Sequence, residues 1–189
     1  MAPYYNKPSQ EGVFQHYQAI HNAVDIPMVI YNIPGRSVIN ITDETLTRLG
    51  TLERVVAVKD ATGDLSRPYT LRKAGGGNLA MLSGEDMTAV AFNVAGGQGC
   101  ISVASNVAPK LTSEVQQACL DGRFTEAAEK HEALTVLNDV LFSETSPGPA
   151  KYALSLMGKC GPELRLPLVE PSDACKSAVE KVLREINLI

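Results

Sequence analysis

Apolar and polar positions divide the chain into short uninterrupted apolar runs and longer stretches with a helical period. Behind Ser9, a residue suited to capping a helix, Val13, Tyr17, Ile20 and Val24 recur close to every 3.6 residues. Pro27 opens the run Met28-Val29-Ile30-Tyr31-Asn32, which Asn32 and Pro34 stop, so a strand is expected there. Thr42, backed by Asp43 and Glu44, starts the next helix, with Leu46 and Leu49 inward and Gly50 as its end. Val55-Val56-Ala57-Val58-Lys59-Asp60 shows no alternation and reads as a strand covered on both faces, the habit of parallel sheets. A turn at Ala61-Thr62-Gly63-Asp64 leads into a helix from Ser66 to Lys73, which tolerates Pro68 in its first turn.

The same unit then recurs. Gly75-Gly76-Gly77-Asn78 precedes a third strand from Leu79 to Gly84, and Glu85 to Val94 is predicted helical with Met87, Val90, Ala91 and Val94 inward. Cys100-Ile101-Ser102-Val103 is predicted to be a fourth strand, followed by a helix with Leu111, Val115 and Cys119 inward. Strict alternation of strand and helix implies parallel strands joined by right-handed crossovers. Beyond Arg123 the strand signals stop. Helices are expected from Thr125 to Phe142, from Pro149 to Leu156 and from Ser172 to Ile186, with stripes at Leu134, Leu137 and Leu141 and at Val179, Val182, Leu183 and Ile186. The predicted organisation is therefore an α/β region over residues 1–121 and a helical region over 122–189, with no low-complexity linker between them.

Composition narrows the function. The chain has 189 residues, 44% of them hydrophobic, and a net charge of -4. That suits an ordinary globular core and argues against nucleic acid or an anionic membrane surface as partner, because no basic stripe appears. No window approaches ~18 uninterrupted apolar residues, so no membrane span is expected. The opening residues resemble no secretory signal. Cys100, Cys119, Cys160 and Cys175 form no CxxC pair and no metal-ligand spacing with histidine, which suggests reduced thiols in a cytoplasmic protein without a metal. His16, His21 and His131 read as structural. Neither GxGxxG nor GxxxxGK[ST] occurs, so no nucleotide cradle is expected.

Candidate chemistry gathers at the strand ends, because residues following parallel strands share one face. They include Tyr31, Lys59, Gly84 and Ile101, with Arg36 in the loop after Tyr31. A lysine closing an apolar strand is costly unless its charge is compensated or its pKa lowered, and a partly neutral lysine is a nucleophile for carbonyl carbon. Arg36 offers a planar fork for a carboxylate and Tyr31 a group for proton transfer, so the set suits a keto acid. Each residue also has a plainer reading. Lys59 fits a position in water or an ion pair with Asp60, Tyr31 packing on the next helix, Arg36 a solvated loop, and Gly84 a turn.

Taken together, these segments resemble a known family. Tyr31-Asn32-Ile33-Pro34-Gly35-Arg36, Val58-Lys59-Asp60-Ala61-Thr62-Gly63-Asp64, Leu82-Ser83-Gly84-Glu85-Asp86 and Gly99-Cys100-Ile101-Ser102-Val103 are similar, in order and spacing, to signatures of the dihydrodipicolinate synthase and N-acetylneuraminate lyase family. Pro3-Tyr4-Tyr5-Asn6-Lys7-Pro8 and Ser146-Pro147-Gly148-Pro149-Ala150-Lys151 extend the likeness nearly end to end. The resemblance implies a (β/α)8 barrel with a C-terminal helical region, and a class I aldol condensation of pyruvate with aspartate semialdehyde in lysine (diaminopimelate) biosynthesis. It implies a Schiff base on Lys59, proton relay through Tyr31 and Tyr5, acceptor carboxylate binding by Arg36, and a pyruvate pocket lined by Gly84 and Ile101. No cofactor beyond the covalent lysine is implied, and a homo-oligomer, dimer or tetramer, is. Tyr4 resembles a residue of the family's lysine-regulated interface, and Arg36 favours the synthase branch.

One departure is large. Such barrels need eight strands and usually ~250 residues, whereas about four strands are legible here. The chain is expected to be the C-terminal half of a barrel, without the family's Gly-Thr-Thr-Gly stretch that links the relay tyrosines. Two alternatives stay open: a non-catalytic, oligomerising remnant, and a pyruvate aldolase of the same family with another acceptor.

Overall fold

A computed structural model describes residues 1–189. The chain separates into two compact units, Met1–Ile101 and Ser102–Ile189. The sequence pattern places the change at 121, grouping one more helix with the strands. In the structure that helix, α7 (Pro109–Leu120), packs on α6 (Ala104–Val107) and α8 (Phe124–Leu141) of the second unit.

The first unit contains α1 (Gln10–Ala23), β1 (Met28–Asn32), α2 (Pro34–Ser37), α3 (Asp43–Leu49), β2 (Val55–Asp60), α4 (Arg67–Lys73), β3 (Ala80–Ser83) and α5 (Ala89–Val94). The expected caps are present. Ser9 Oγ accepts from the Gly12 amide at 3.2 Å, and Thr42 Oγ1 from the Thr45 amide at 3.3 Å. The strands form one parallel sheet in the order β1-β2-β3. The predicted fourth strand reduces to a single parallel bridge between Ser83 and Cys100. Residues 98–101 nevertheless follow β3 closely, the Gln98 amide donating to the Met81 carbonyl at 2.8 Å and the Ser83 amide to the Gly99 carbonyl at 2.8 Å.

The two faces of the sheet differ. Ile30, Val58 and Met81 lie in register and sink into a core with Val13, Tyr17, Leu46, Leu49, Leu71 and Phe92. The opposite face carries Val29, Tyr31, Ala57, Lys59, Ala80 and Leu82. Here Val29 is 45% and Val56 43% exposed, so β2 is covered on one face and partly open on the other, not sealed on both as its unbroken apolar run suggests. A register shift explains the missing alternation. Met28 pairs with Val55 and Val29 with Ala57, which leaves Val56 as an extra residue and returns Val55 to the core side.

Helix α5 begins later than expected and buries another face. Ser83 Oγ accepts from the Glu85 amide at 3.1 Å, holding the chain in a turn through Asp86 before helical bonding starts. The helix then turns Ala89, Phe92 and Asn93 inward, while Met87 and Val94 are 41% and 54% exposed. Phe92, the largest apolar side chain of this segment, sets the phase.

The second unit is helical throughout. Helices α8, α9 (Gly148–Leu156) and α10 (Asp173–Glu185) pack on one another through Leu134, Leu137, Leu141, Ala150, Ala153, Val179 and Leu183, all buried. Ser172 caps α10, its Oγ accepting from the Cys175 amide at 3.2 Å. No helix is long and apolar enough to cross a membrane.

The two sheet faces are expected to answer substitution differently. Ile30→Ala, on the covered face, should cost about 2–5 kcal/mol, whereas Val29→Ala, one residue away, should stay within about 0.5 kcal/mol. Urea denaturation of both variants checks this, and equal losses would contradict the assigned faces.

Candidate functional site

The parallel register determines which side chains meet at the C-terminal edge of the sheet. Tyr31 pairs with Lys59, and Lys59 with Leu82, so the three stand in one row on the open face. Lys59 Nζ lies 4.1 Å from the centre of the Tyr31 ring. The half-buried ammonium thus rests on the negative face of an aromatic ring, which compensates part of its lost hydration. Tyr31 stands on the sheet face opposite the one that packs against Leu46 and Leu49 of α3.

Lys59 also does not pair with Asp60. Successive strand residues point to opposite faces, and Asp60 is 3% exposed on the helix side. There its Oδ2 accepts from Arg67 Nε at 3.2 Å, while Oδ1 accepts from Thr62 Oγ1 at 2.6 Å.

Gly84 closes the site from the β3 side. Its amide donates to the Asp60 carbonyl at 2.6 Å, crossing from one strand end to the next. A Cβ at this position would lie 2.7 Å from Ala61 Cβ, 3.0 Å from Lys59 Cε and 3.2 Å from the Asp60 oxygen. Only hydrogen fits beside the lysine. Ile101 completes the edge through backbone, its amide donating to the Ser83 carbonyl at 2.9 Å, with its side chain 42% exposed.

Arg36 sits in the single-turn helix α2, exposed and without a carboxylate partner. Buried Ser37 fixes that turn by donating to the Ile33 carbonyl at 2.8 Å. Tyr5 is not brought to this edge. It is 90% exposed in the segment before α1, with almost nothing packed against it.

Two titratable groups beside Lys59 escape the sequence reading. Partial burial raises the Glu85 carboxyl above the usual range, with Asp86 adding to the effect and Lys59 opposing it. A carboxyl with a raised folded pKa favours the fold at acid pH, and that contribution is lost as pH rises through the raised value. Cys100 is pushed up to about 12, first by burial and then by Asp86. Glu85 is legible in the Ser83-Gly84-Glu85-Asp86 turn, whereas only the Ser83–Cys100 bridge brings Cys100 against it. No group of three or more His, Cys, Asp or Glu side chains is arranged to hold a metal.

Residues 1–186 match the Dihydrodipicolinate synthetase family. The chain belongs to that family. It is 52% identical over 189 residues to the 4-hydroxy-tetrahydrodipicolinate synthase of Rhodospirillum centenum, covering 100% of this chain and 65% of that relative. Its backbone superposes on dihydrodipicolinate synthase from Aquifex aeolicus with a TM-score of 0.96 at 40% identity, over 99% of this chain and 64% of that one. A chloride-inhibited dihydrodipicolinate synthase from Acinetobacter baumannii, complexed with pyruvate, gives a TM-score of 0.94 at 38% identity, again over 99% and 64%. The chain thus spans about two thirds of the length of its family relatives, and its parallel βα units correspond to part of their barrel.

The environment of Cys100 has a chemical consequence, because the thiolate is the reactive form. Brief treatment with iodoacetamide at mildly alkaline pH should label exposed Cys160 well before Cys100. Peptide mass mapping reads the order, and earlier labelling of Cys100 would contradict the environment described.

Proposed function

We propose that the chain carries the lysine centre of a 4-hydroxy-tetrahydrodipicolinate synthase, condensing pyruvate with aspartate semialdehyde through a Schiff base on Lys59. The observation that carries this reading is the Lys59 ammonium over the Tyr31 ring, at the strand edge where Gly84 leaves room for hydrogen alone. Membership of the family, and the pyruvate complex of the Acinetobacter baumannii relative, support the choice of keto acid.

In this reading the neutral amine of Lys59 adds to C2 of pyruvate, and loss of water leaves an iminium. The iminium carries the same positive charge as the ammonium, so the ring face of Tyr31 accompanies the cation from resting state to intermediate. Loss of a proton from C3 gives an enamine, whose C3 attacks the aldehyde carbon of the acceptor. Arg36 binds the acceptor carboxylate through its planar fork, and the Tyr31 hydroxyl supplies the proton that the new alkoxide takes up. Attack of the acceptor's amino group on the iminium carbon then releases Lys59. Gly84 and Ile101 line the pyruvate position mainly through backbone. No cofactor takes part beyond the covalent lysine.

Tyr5 enters the proton relay only through a second copy of the chain, because here it stands in solvent. The proposed assembly is therefore a homo-oligomer, dimer or tetramer. Four free thiols fit a cytoplasmic setting.

Borohydride reduction in the presence of pyruvate, followed by peptide mass analysis, should place one reduced pyruvate adduct on Lys59. Lys59→Arg should abolish it. Gly84→Ala should lower the trapped fraction about 10-fold or more, because the added methyl displaces the lysine stem. A folded wild-type chain that yields no adduct would sink this reading and leave a non-catalytic member of the family.

A further inference from the structure

Directly behind the row of Tyr31, Lys59 and Leu82 runs a second row, Asn32, Asp60 and Ser83, also in register and facing the helices. All three are polar and buried, with exposures of 0%, 3% and 1%. A polar side chain is retained in such a place only when its hydrogen bonds are met. Here each one binds the loop that leaves its own strand. Asn32 Oδ1 accepts from the Ile41 amide at 3.0 Å and its Nδ2 donates to Asn40 Oδ1 at 2.9 Å. Asp60 Oδ1 accepts from the Thr62 amide at 3.1 Å, and Ser83 Oγ donates to the Glu85 carbonyl at 2.9 Å.

Arg67 joins the loop after β1 to the end of β2. Its side chain is only 9% exposed and the guanidinium reaches three partners. Nε donates to Asp60 Oδ2 at 3.2 Å, on the strand that ends in Lys59. One terminal nitrogen donates to the Ile41 carbonyl at 3.0 Å, and the other lies 2.8 Å from Asp43 Oδ1 at the start of α3. Residues 33–42, which include Arg36, are thus held at their far end by Asn32 on the Ile41 amide and by Arg67 on the Ile41 carbonyl. Arg36 itself has no ion pair to orient it, so its position follows from the fixing of this loop.

We infer that Arg67 is a positioning residue: it ties the Arg36 loop to the end of the Lys59 strand and so sets recognition of the acceptor's carboxylate without touching substrate. The inference rests on the assignment of Arg36 to that carboxylate. A lysine at position 67 keeps the charge beside Asp60 but has one nitrogen in place of a fork, so it does not span Asp60, Ile41 and Asp43 together. The expected result is a separation of effects, with Lys59 chemistry kept and acceptor recognition weakened.

The test compares the wild-type chain with Arg67→Lys, and with Asp43→Asn, which leaves the Arg67–Asp60 pair intact if the first variant folds poorly. Phenylglyoxal modification of Arg36 is followed by peptide mass analysis over a series of concentrations of succinate semialdehyde, a short aldehyde bearing a carboxylate. Pyruvate-dependent borohydride trapping of Lys59 is followed in parallel, with circular dichroism as a check of folding. Succinate semialdehyde should protect Arg36 in the wild type. Protection should need about 10-fold more of it in Arg67→Lys, and a smaller increase in Asp43→Asn, while the pyruvate concentration for half trapping changes less than about twofold. An unchanged protection curve in folded variants, absence of protection in the wild type, or equal shifts in protection and trapping would each overturn the inference. Failure of wild-type Lys59 to trap pyruvate would instead count against the proposed reaction, and the protection curves would still decide the role of Arg67.

Discussion

The parallel register of β1, β2 and β3 is the constraint on which the rest of the site depends. Because neighbouring strands run in step, side chains at one level point the same way, and a shift of one residue would send every group to the other face. In this register Tyr31, Lys59 and Leu82 face the open side, while Asn32, Asp60 and Ser83 face the helices. One level of the sheet therefore presents reactive groups, and the next fixes the loops around them. The apolar core below, with Ile30, Val58 and Met81 buried, holds that register.

The two rows solve different electrostatic problems. The Lys59 ammonium keeps partial access to water and gains the face of an aromatic ring. The Asp60 carboxylate is removed from water and is matched by a guanidinium and two donors from Thr62. Breaking such a buried pair leaves an uncompensated charge and typically costs about 3–5 kcal/mol. The sheet edge can thus carry opposite charges on adjacent residues without letting them neutralise each other.

Much of this architecture is legible in the sequence. Ser9, Thr42 and Ser172 mark their helix starts because capping is local chemistry, and the apolar runs of β1 and β2 identify their strands. Lys59, Tyr31 and Gly84 fall together because parallel strands share a C-terminal edge. What composition and period miss depends on long-range pairing. The extra residue at Val56 imitates a strand covered on both faces, although it reflects a register shift. Cys100 looks like part of a strand, yet only one bridge forms. The phase of α5 is set by the Ser83–Glu85 turn, which a count of apolar spacings does not show, and by Phe92, which lies off the stripe through Met87, Val90, Ala91 and Val94. Arg67 carries no signal in the sequence pattern, and its contacts emerge only once Asp60, Ile41 and Asp43 converge on it.

Placement of the lysine over the tyrosine ring can be read without substrate. Protons lying over an aromatic face resonate upfield of their usual position, so the ε-methylene protons of Lys59 should be shifted upfield in the NMR spectrum of the resting chain. The shift should vanish in Tyr31→Leu and persist in Tyr31→Phe. An ε-methylene signal at the position of a solvated lysine, unchanged by both substitutions, would contradict the register and the centre built on it.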